Sequence, residues 1–181
     1  MRLLFALVFV CAALGALPRT AASGVVSGVD VMMATVMQEN QSSFSGLAAR
    51  MRLHSDRFIE GIDFLPTIEY WRNHTAVQDF GIDASRRDAT LGIDGRYVMR
   101  KEGWSPYGGL GFGLHFLAST VDAPALGLND RQESLVKGAW SAVGGVEFPI
   151  TANVQNFVEL KYHHLTDYRQ LKLNWGLGWN F

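Results

Sequence analysis

Leu171-Lys-Leu-Asn-Trp-Gly-Leu-Gly-Trp-Asn-Phe181 puts Leu171, Leu173, Trp175, Leu177, Trp179 and Phe181 on one parity and Lys172, Asn174, Gly176, Gly178 and Asn180 on the other. A strict period of two is the period of a β-strand, where successive side chains point to opposite faces. One face of this segment is therefore wholly apolar and aromatic, and the other is polar or glycine. An uncharged apolar face over about ten residues matches a tilted transmembrane β-strand, which needs roughly 9 to 11.

The same alternation recurs upstream. Residues 153–164 set Val154, Val158, Leu160 and Tyr162 against Gln155, Glu159, Lys161 and His163. Residues 133–148 set Val136, Trp140, Ala142, Val146 and Phe148 against Glu133, Lys137, Ser141 and Glu147. Residues 106–118 set Leu110, Phe112, Leu114 and Phe116 against Gly109, Gly111, Gly113 and His115. Residues 88–99 set Leu91, Ile93, Tyr97 and Met99 against Asp88, Thr90, Asp94 and Arg96. Residues 58–71 oppose Ile62, Phe64, Ile68 and Tyr70 to Asp63, Thr67 and Glu69, and residues 44–54 oppose Leu47, Ala49, Met51 and Leu53 to Arg50, Arg52 and His54. An eighth segment, 25–37, is weaker: Val25, Val29, Val31 and Met33 share one parity, but Met32, Ala34 and Val36 occupy the other. A short amphipathic helix over 31–38 is the alternative there.

The links alternate in length. Residues 55–57, 100–105 and 149–152 are short; residues 72–87 and 119–132 are long, polar and punctuated by glycine, proline, aspartate and asparagine. Those at 38–43 and 165–168 are short links on the same side as the long ones. With both ends of the domain on the periplasmic side, the short set become periplasmic turns and the long set extracellular loops, the pattern of outer-membrane barrels.

Residues 1–22 read as an export signal, with Arg2 at its start, an apolar stretch from Leu3 to Leu17 and a small-residue cleavage site at Thr20-Ala21-Ala22. The mature chain is expected to begin near Ser23. Cys11, the single cysteine, lies inside that signal, so the exported protein is expected to carry no disulfide. About 159 residues remain, a formal charge of minus three, in one domain from 23 to 181. That charge speaks against nucleic acid as a partner.

Alternation alone leaves open whether the apolar face meets lipid or a soluble core. A secreted lipocalin-like binder of apolar ligands is also eight-stranded, with its apolar face inward. Gly138-Ala139-Trp140 matches the Gly-x-Trp pattern of lipocalins, but late in the chain instead of in the first strand. Lipid outside is favoured by the polar face, where Arg50, Arg52, Asp63, Glu69, Asp94, Arg96, Lys137, Glu147, Glu159 and Lys161 are near balance and can pair in a filled lumen. Aromatics near strand ends, Tyr70 with Trp71, Trp104 with Tyr107, Tyr162 with Tyr168, and Trp175 with Trp179, read as interfacial girdles.

The terminal segment resembles the carboxy-terminal assembly signal of Gram-negative outer-membrane proteins. Together with Ser105-Pro-Tyr-Gly-Gly-Leu-Gly-Phe-Gly-Leu-His-Phe116 it resembles the small barrel superfamily of OmpA-like, OmpX-like and opacity-type proteins. The resemblance implies an eight-stranded antiparallel up-and-down transmembrane barrel in the outer membrane, surrounded by outer-membrane lipid and lipopolysaccharide. It also implies that Leu173, Trp175, Leu177, Trp179 and Phe181 are read by the barrel-assembly machinery. The expected role is structural or surface contact through the outer loops, with no open pore, no cofactor and an unknown surface ligand.

Tyr162-His163-His164-Leu165-Thr166-Asp167 resembles the His-x-Ser-Asn segment of lipid A deacylases. On that resemblance His164 would be the base, Thr166 the nucleophile, and Asp167 would replace the asparagine. A nucleophilic hydroxyl needs a base within reach and a group that orients the base. The outward positions of the last strand offer no acid for this, so a non-enzymatic role is favoured. A metal at His163, His164 and Asp167 is disfavoured because adjacent strand residues point to opposite faces. His54 and His115 read as lumen residues, and Asn73-His74-Thr75 as a chance glycosylation triplet in a loop.

Overall fold

The computed structural model describes residues 26–38, 43–54, 61–77, 82–124 and 128–181. The expected export signal and the link at 55–57 lie outside them. Eight strands follow in order: β1 Val26–Gln38, β2 Phe44–His54, β3 Ile62–Val77, β4 Ile82–Val98, β5 Ser105–Ala123, β6 Leu128–Pro149, β7 Val154–Leu165 and β8 Arg169–Asn180. Each pairs antiparallel with its sequence neighbour, and β8 closes on β1 through the register from Gly28↔Asn180 to Gln38↔Gln170. Among the described residues no helix is long and apolar enough to cross a membrane; the apolar surface is carried by strands.

Side chains are distributed inside out relative to a water-soluble protein. Leu110 is 68% exposed and Ile68 61%, while Asp30 is 0% and Arg96 1% exposed. The exposed set also holds Met33, Met51, Leu91, Ile93, Phe112, Leu114, Leu160, Leu173 and Trp175, an apolar belt around the barrel. A contiguous surface of that kind needs an apolar solvent. The lipocalin-like alternative is thereby overturned: Trp140 of the Gly-x-Trp triplet points outward, 49% exposed, and the bore is charged.

Within the expected segment 25–37, the described residues 26–37 form a strand and not a helix, because β2 and β8 supply partners for the backbone on both sides. Its two apolar faces have separate uses. Val31, Met33 and Met37 lie on the outward side, whereas Ala34 and Val36 pack inside with Trp71 and Phe44. Trp71 is thus an interior residue, 2% exposed, and so is Tyr107; neither is a girdle aromatic. Tyr168 turns over the bore, with the Arg86 guanidinium 4.7 Å from its ring.

The long links expected at 72–87 and 119–132 are mostly ladder. Residues Arg72 to Val77 pair with Arg87 to Ile82, placing the Asn73-His74-Thr75 triplet on β3. Ser119 to Val121 pair with Glu133 to Arg131, leaving only residues 78–81 and 124–127 between strands. β2 reaches no further along β3 than Gly46↔Trp71, and β7 no further along β6 than Ala139↔Leu165. The outer parts of β3 to β6 therefore stand beyond β7, β8, β1 and β2 as a four-stranded wall, roughly 20 Å tall at β3 at about 3.3 Å per residue. The end that carries this wall is called the far end below, and the end bearing Val26 and Asn180 the near end. At the near end the 99–104 turn passes through Gly103 at φ +79°, a left-handed conformation that glycine adopts without strain.

Replacing Ile93, which lies in the middle of the belt opposite Phe112, by arginine is expected to cost about 2–4 kcal/mol. Urea unfolding of Ile93→Arg in lipid vesicles reads this directly.

Candidate functional site

An eight-stranded barrel has a bore just wide enough for side chains, so inward residues must fill it and satisfy one another. Glycines on β5 make the room. A Cβ at Gly111 would run into the Asp94 carboxylate and the Ser141 hydroxyl, so the position must stay empty for those groups to meet.

The bore is cross-linked by ion pairs, some between neighbouring strands and others between strands that are not neighbours. Arg50 on β2 reaches Asp30 on β1 at 2.7 Å and Glu159 on β7 at 2.5 Å. Tyr107 donates to the same Glu159 at 2.9 Å, as does Asn174. Lys161 on β7 spans to Asp94 on β4 at 2.6 Å and to Glu69 on β3 at 2.9 Å, and Lys172 on β8 also holds Glu69. Towards the near end Arg52 binds Asp30 at 3.0 Å and Asn180 at 2.6 Å, while Arg96 meets Glu147 at 2.5 Å and Asp63 at 3.4 Å. His54 sits 2.7 Å from Asp63. Towards the far end Asp88 lies 2.6 Å from His115 Nδ1, and His115 Nε2 lies 3.1 Å from His163.

Nine of the ten residues assigned to the lumen from sequence lie in this network: Arg50, Arg52, Asp63, Glu69, Asp94, Arg96, Glu147, Glu159 and Lys161. Lys137 does not; it stands at the far rim in an ion pair with Asp167. The sequence reading missed Asp30 and Tyr107. Asp30 alternates with Met32, Ala34 and Val36 on a strand with two apolar faces, so parity carried no polar signal for it.

The second candidate is outward. Phe112, Gly138, Ala139, Trp140, His164 and Thr166 line one groove of about 550 Å³ where the apolar belt gives way to the far end. The His164 ring lies 5.3 Å from that of Trp140. Among the described residues no hydrogen bond joins His164 to Thr166, and no acid orients the imidazole. Asp167 is engaged with Lys137, and the ladder partner of His164 is Arg169. His163 lies inside and His164 outside, so the two do not converge. Leu173, Trp175, Trp179 and Phe181 line the outward side of the closing strand.

Stability should depend on the bore network. Arg50→Met leaves Asp30 and Glu159 short of a cation and is expected to cost about 3–5 kcal/mol. Arg131→Gln, which breaks an exposed pair with Glu133, is expected to cost about 0–1 kcal/mol. Denaturant midpoints of both variants in the same detergent check the contrast.

Comparison with known proteins gives a consistent picture. The attachment invasion locus protein Ail of Yersinia pestis, in complex with the heparin analogue sucrose octasulfate, superposes with a TM-score of 0.63 at 17% identity, over 87% of this chain and 99% of that one. Neisserial surface protein A superposes with a TM-score of 0.58 at 18% identity, over 88% and 98%. The amino-terminal β-barrel domain of Pseudomonas aeruginosa OprF does so with a TM-score of 0.58 at 13% identity, over 86% and 98%. Comparison with curated protein sequences gives no match. These structures share the fold. The family model of the outer membrane protein β-barrel domain matches residues 3–181. With its closed eight-stranded ladder, apolar belt and charged bore, this chain belongs to the outer membrane protein β-barrel family and is an integral outer-membrane protein.

Proposed function

We propose that this protein is a non-enzymatic envelope barrel that presents its projecting wall as a surface for contact outside the cell. The observation that carries this reading is the contrast between its two halves. The bore is packed with paired charges, as in a support that conducts nothing, whereas β3 to β6 run past the belt into water. Rigid scaffolds commonly carry function on the segments they hold out into solvent. We assign the near end to the periplasm and the wall to the exterior, residues 1–22 to an export signal, and Leu173, Trp175, Leu177, Trp179 and Phe181 to recognition by the barrel-assembly machinery. Ail, whose fold this chain shares, is an attachment and invasion protein captured with a sulfated ligand. That role supports surface contact as the function here.

Shortening the wall tests the reading. A variant in which residues 74–85 and 120–131 are each replaced by a tight turn keeps the belt and bore. It is expected to assemble with an unchanged heat-shift on gels but to lose binding of cells to coated surfaces. Undiminished attachment by the shortened barrel would overturn the proposal.

The outward groove gives a lipid-modifying hydrolase one supporting observation, since His164 and Thr166 line it together. Without an acid behind the imidazole that pair lacks the relay a hydroxyl nucleophile needs. Cells carrying His164→Ala with Thr166→Ala are expected to show the same lipid A acyl composition as wild type by mass spectrometry. A change in acyl chain number would establish the enzymatic reading instead.

A further inference from the structure

The outward side of the wall changes character over one step of the ladder. Tyr70, Ala89, Phe116 and Val136 form one row of cross-strand partners, and Arg72, Arg87, Ala118 and Ser134 form the next row towards the far end. Arg72 and Arg87 are thus direct partners across β3 and β4, both outward and both exposed. Like charges placed directly opposite on a sheet repel. Among the described residues nothing relieves this: neither arginine's side chain has an ion pair or hydrogen bond. The next outward row is His74, Ser85, Thr120 and Gln132, without an acid. The closest outward acids on the wall, Asp83 and Asp122, lie a further row away, and Asp83 is held by His74 at 3.3 Å.

The height of the pair supplies the missing anion. It stands one row, about 7 Å at 3.3 Å per residue, beyond the last apolar row, and so at the level of lipid headgroups. Two arginines directly opposite on the ladder can bring planar, paired donors to one ligand, a chemistry that suits the oxygens of a phosphate. We propose that Arg72 and Arg87 clamp one phosphate group of a phosphorylated lipid headgroup in the surrounding leaflet, converting a repulsive pair into an anchor that fixes the depth of the wall. The proposal goes beyond the contact function above and holds whichever side the far end faces, because it requires only a lipid phosphate at that height.

The test uses the full chain in maltoside micelles, which contain no phosphate. Bisphosphorylated lipid A, its dephosphorylated form and inorganic phosphate are titrated in separately; retained glycolipid is counted by native mass spectrometry and barrel integrity is read by heat-shift gel. Wild type is expected to retain the bisphosphorylated lipid about tenfold more tightly than Arg72→Gln/Arg87→Gln, the loss expected when charge-assisted hydrogen bonds are removed. Dephosphorylated lipid A is expected to erase the difference, and inorganic phosphate at matching concentration to displace little. Before lipid is added, each single variant is expected to unfold at the same or a higher temperature than wild type, because it removes a repulsion; a merely structural role predicts the opposite sign. If the double variant does not assemble, the single variants carry the same comparison. Equal retention by wild type and variants, retention indifferent to the phosphates, or an equal loss in Arg131→Gln would overturn the clamp. Full displacement by inorganic phosphate, or binding of a sulfated oligosaccharide through this pair without binding of phosphorylated lipid, would overturn the lipid as its source.

Discussion

Closure of β1 on β8 is the constraint on which everything else in this barrel depends. A strand edge facing hydrocarbon would leave unpaired N–H and C=O groups, each costing several kcal/mol, so a sheet can cross a membrane only as a closed ring. The register from Gly28↔Asn180 to Gln38↔Gln170 supplies that closure. It also explains how β1 can be a strand despite an ambiguous pattern: between β2 and β8 every turn towards helix would forfeit two ladders.

Closing the ring at eight strands fixes the bore, and the bore then dictates its contents. Long charged side chains fill it, and they are tolerable there only because each finds partners across the barrel. Lys161 joins β7 to β3 and β4, Arg50 joins β2 to β1 and β7, and Glu69 gathers Lys161 and Lys172. Backbone hydrogen bonds hold neighbouring strands to each other, whereas the pairs of Lys161 and Lys172 with Glu69, of Lys161 with Asp94 and of Arg50 with Glu159 join strands far apart around the ring. Above them the apolar cluster of Val36, Trp71 and Phe44, with Arg86 and Tyr168 over it, closes the far mouth.

A barrel sealed in this way leaves its outer surface and its extensions as the places where function can differ between relatives. Proteins below 20% identity can share this fold because alternation, glycine placement and closure are satisfied by many sequences. In this chain those places hold the long β3 to β6, the rim pair Lys137–Asp167, and the row of cations where the belt ends.

Much of this was legible in the sequence, and the boundary of legibility is physical. The period of two in 171–181 and in six upstream segments determined strands, faces and the barrel, because a side chain's parity is fixed by its own backbone. The same parity placed Arg50, Glu69, Asp94, Glu159 and Lys161 on the bore side. Partners across the bore were not legible, since they depend on which strands end up opposite one another after closure. Trp71 and Tyr107 read as girdle residues because an aromatic near a strand end looks alike whether it faces lipid or seals the bore. Residues 72–87 and 119–132 read as loops because their composition is polar; in water a polar stretch becomes strand when a neighbour offers a ladder, and only the tertiary structure supplies that neighbour. Sequence alone thus determined the strand periodicity and the membrane, through local backbone geometry. The tertiary structure decided the pairings, the filled bore and the projecting wall, through contacts between residues far apart in the chain.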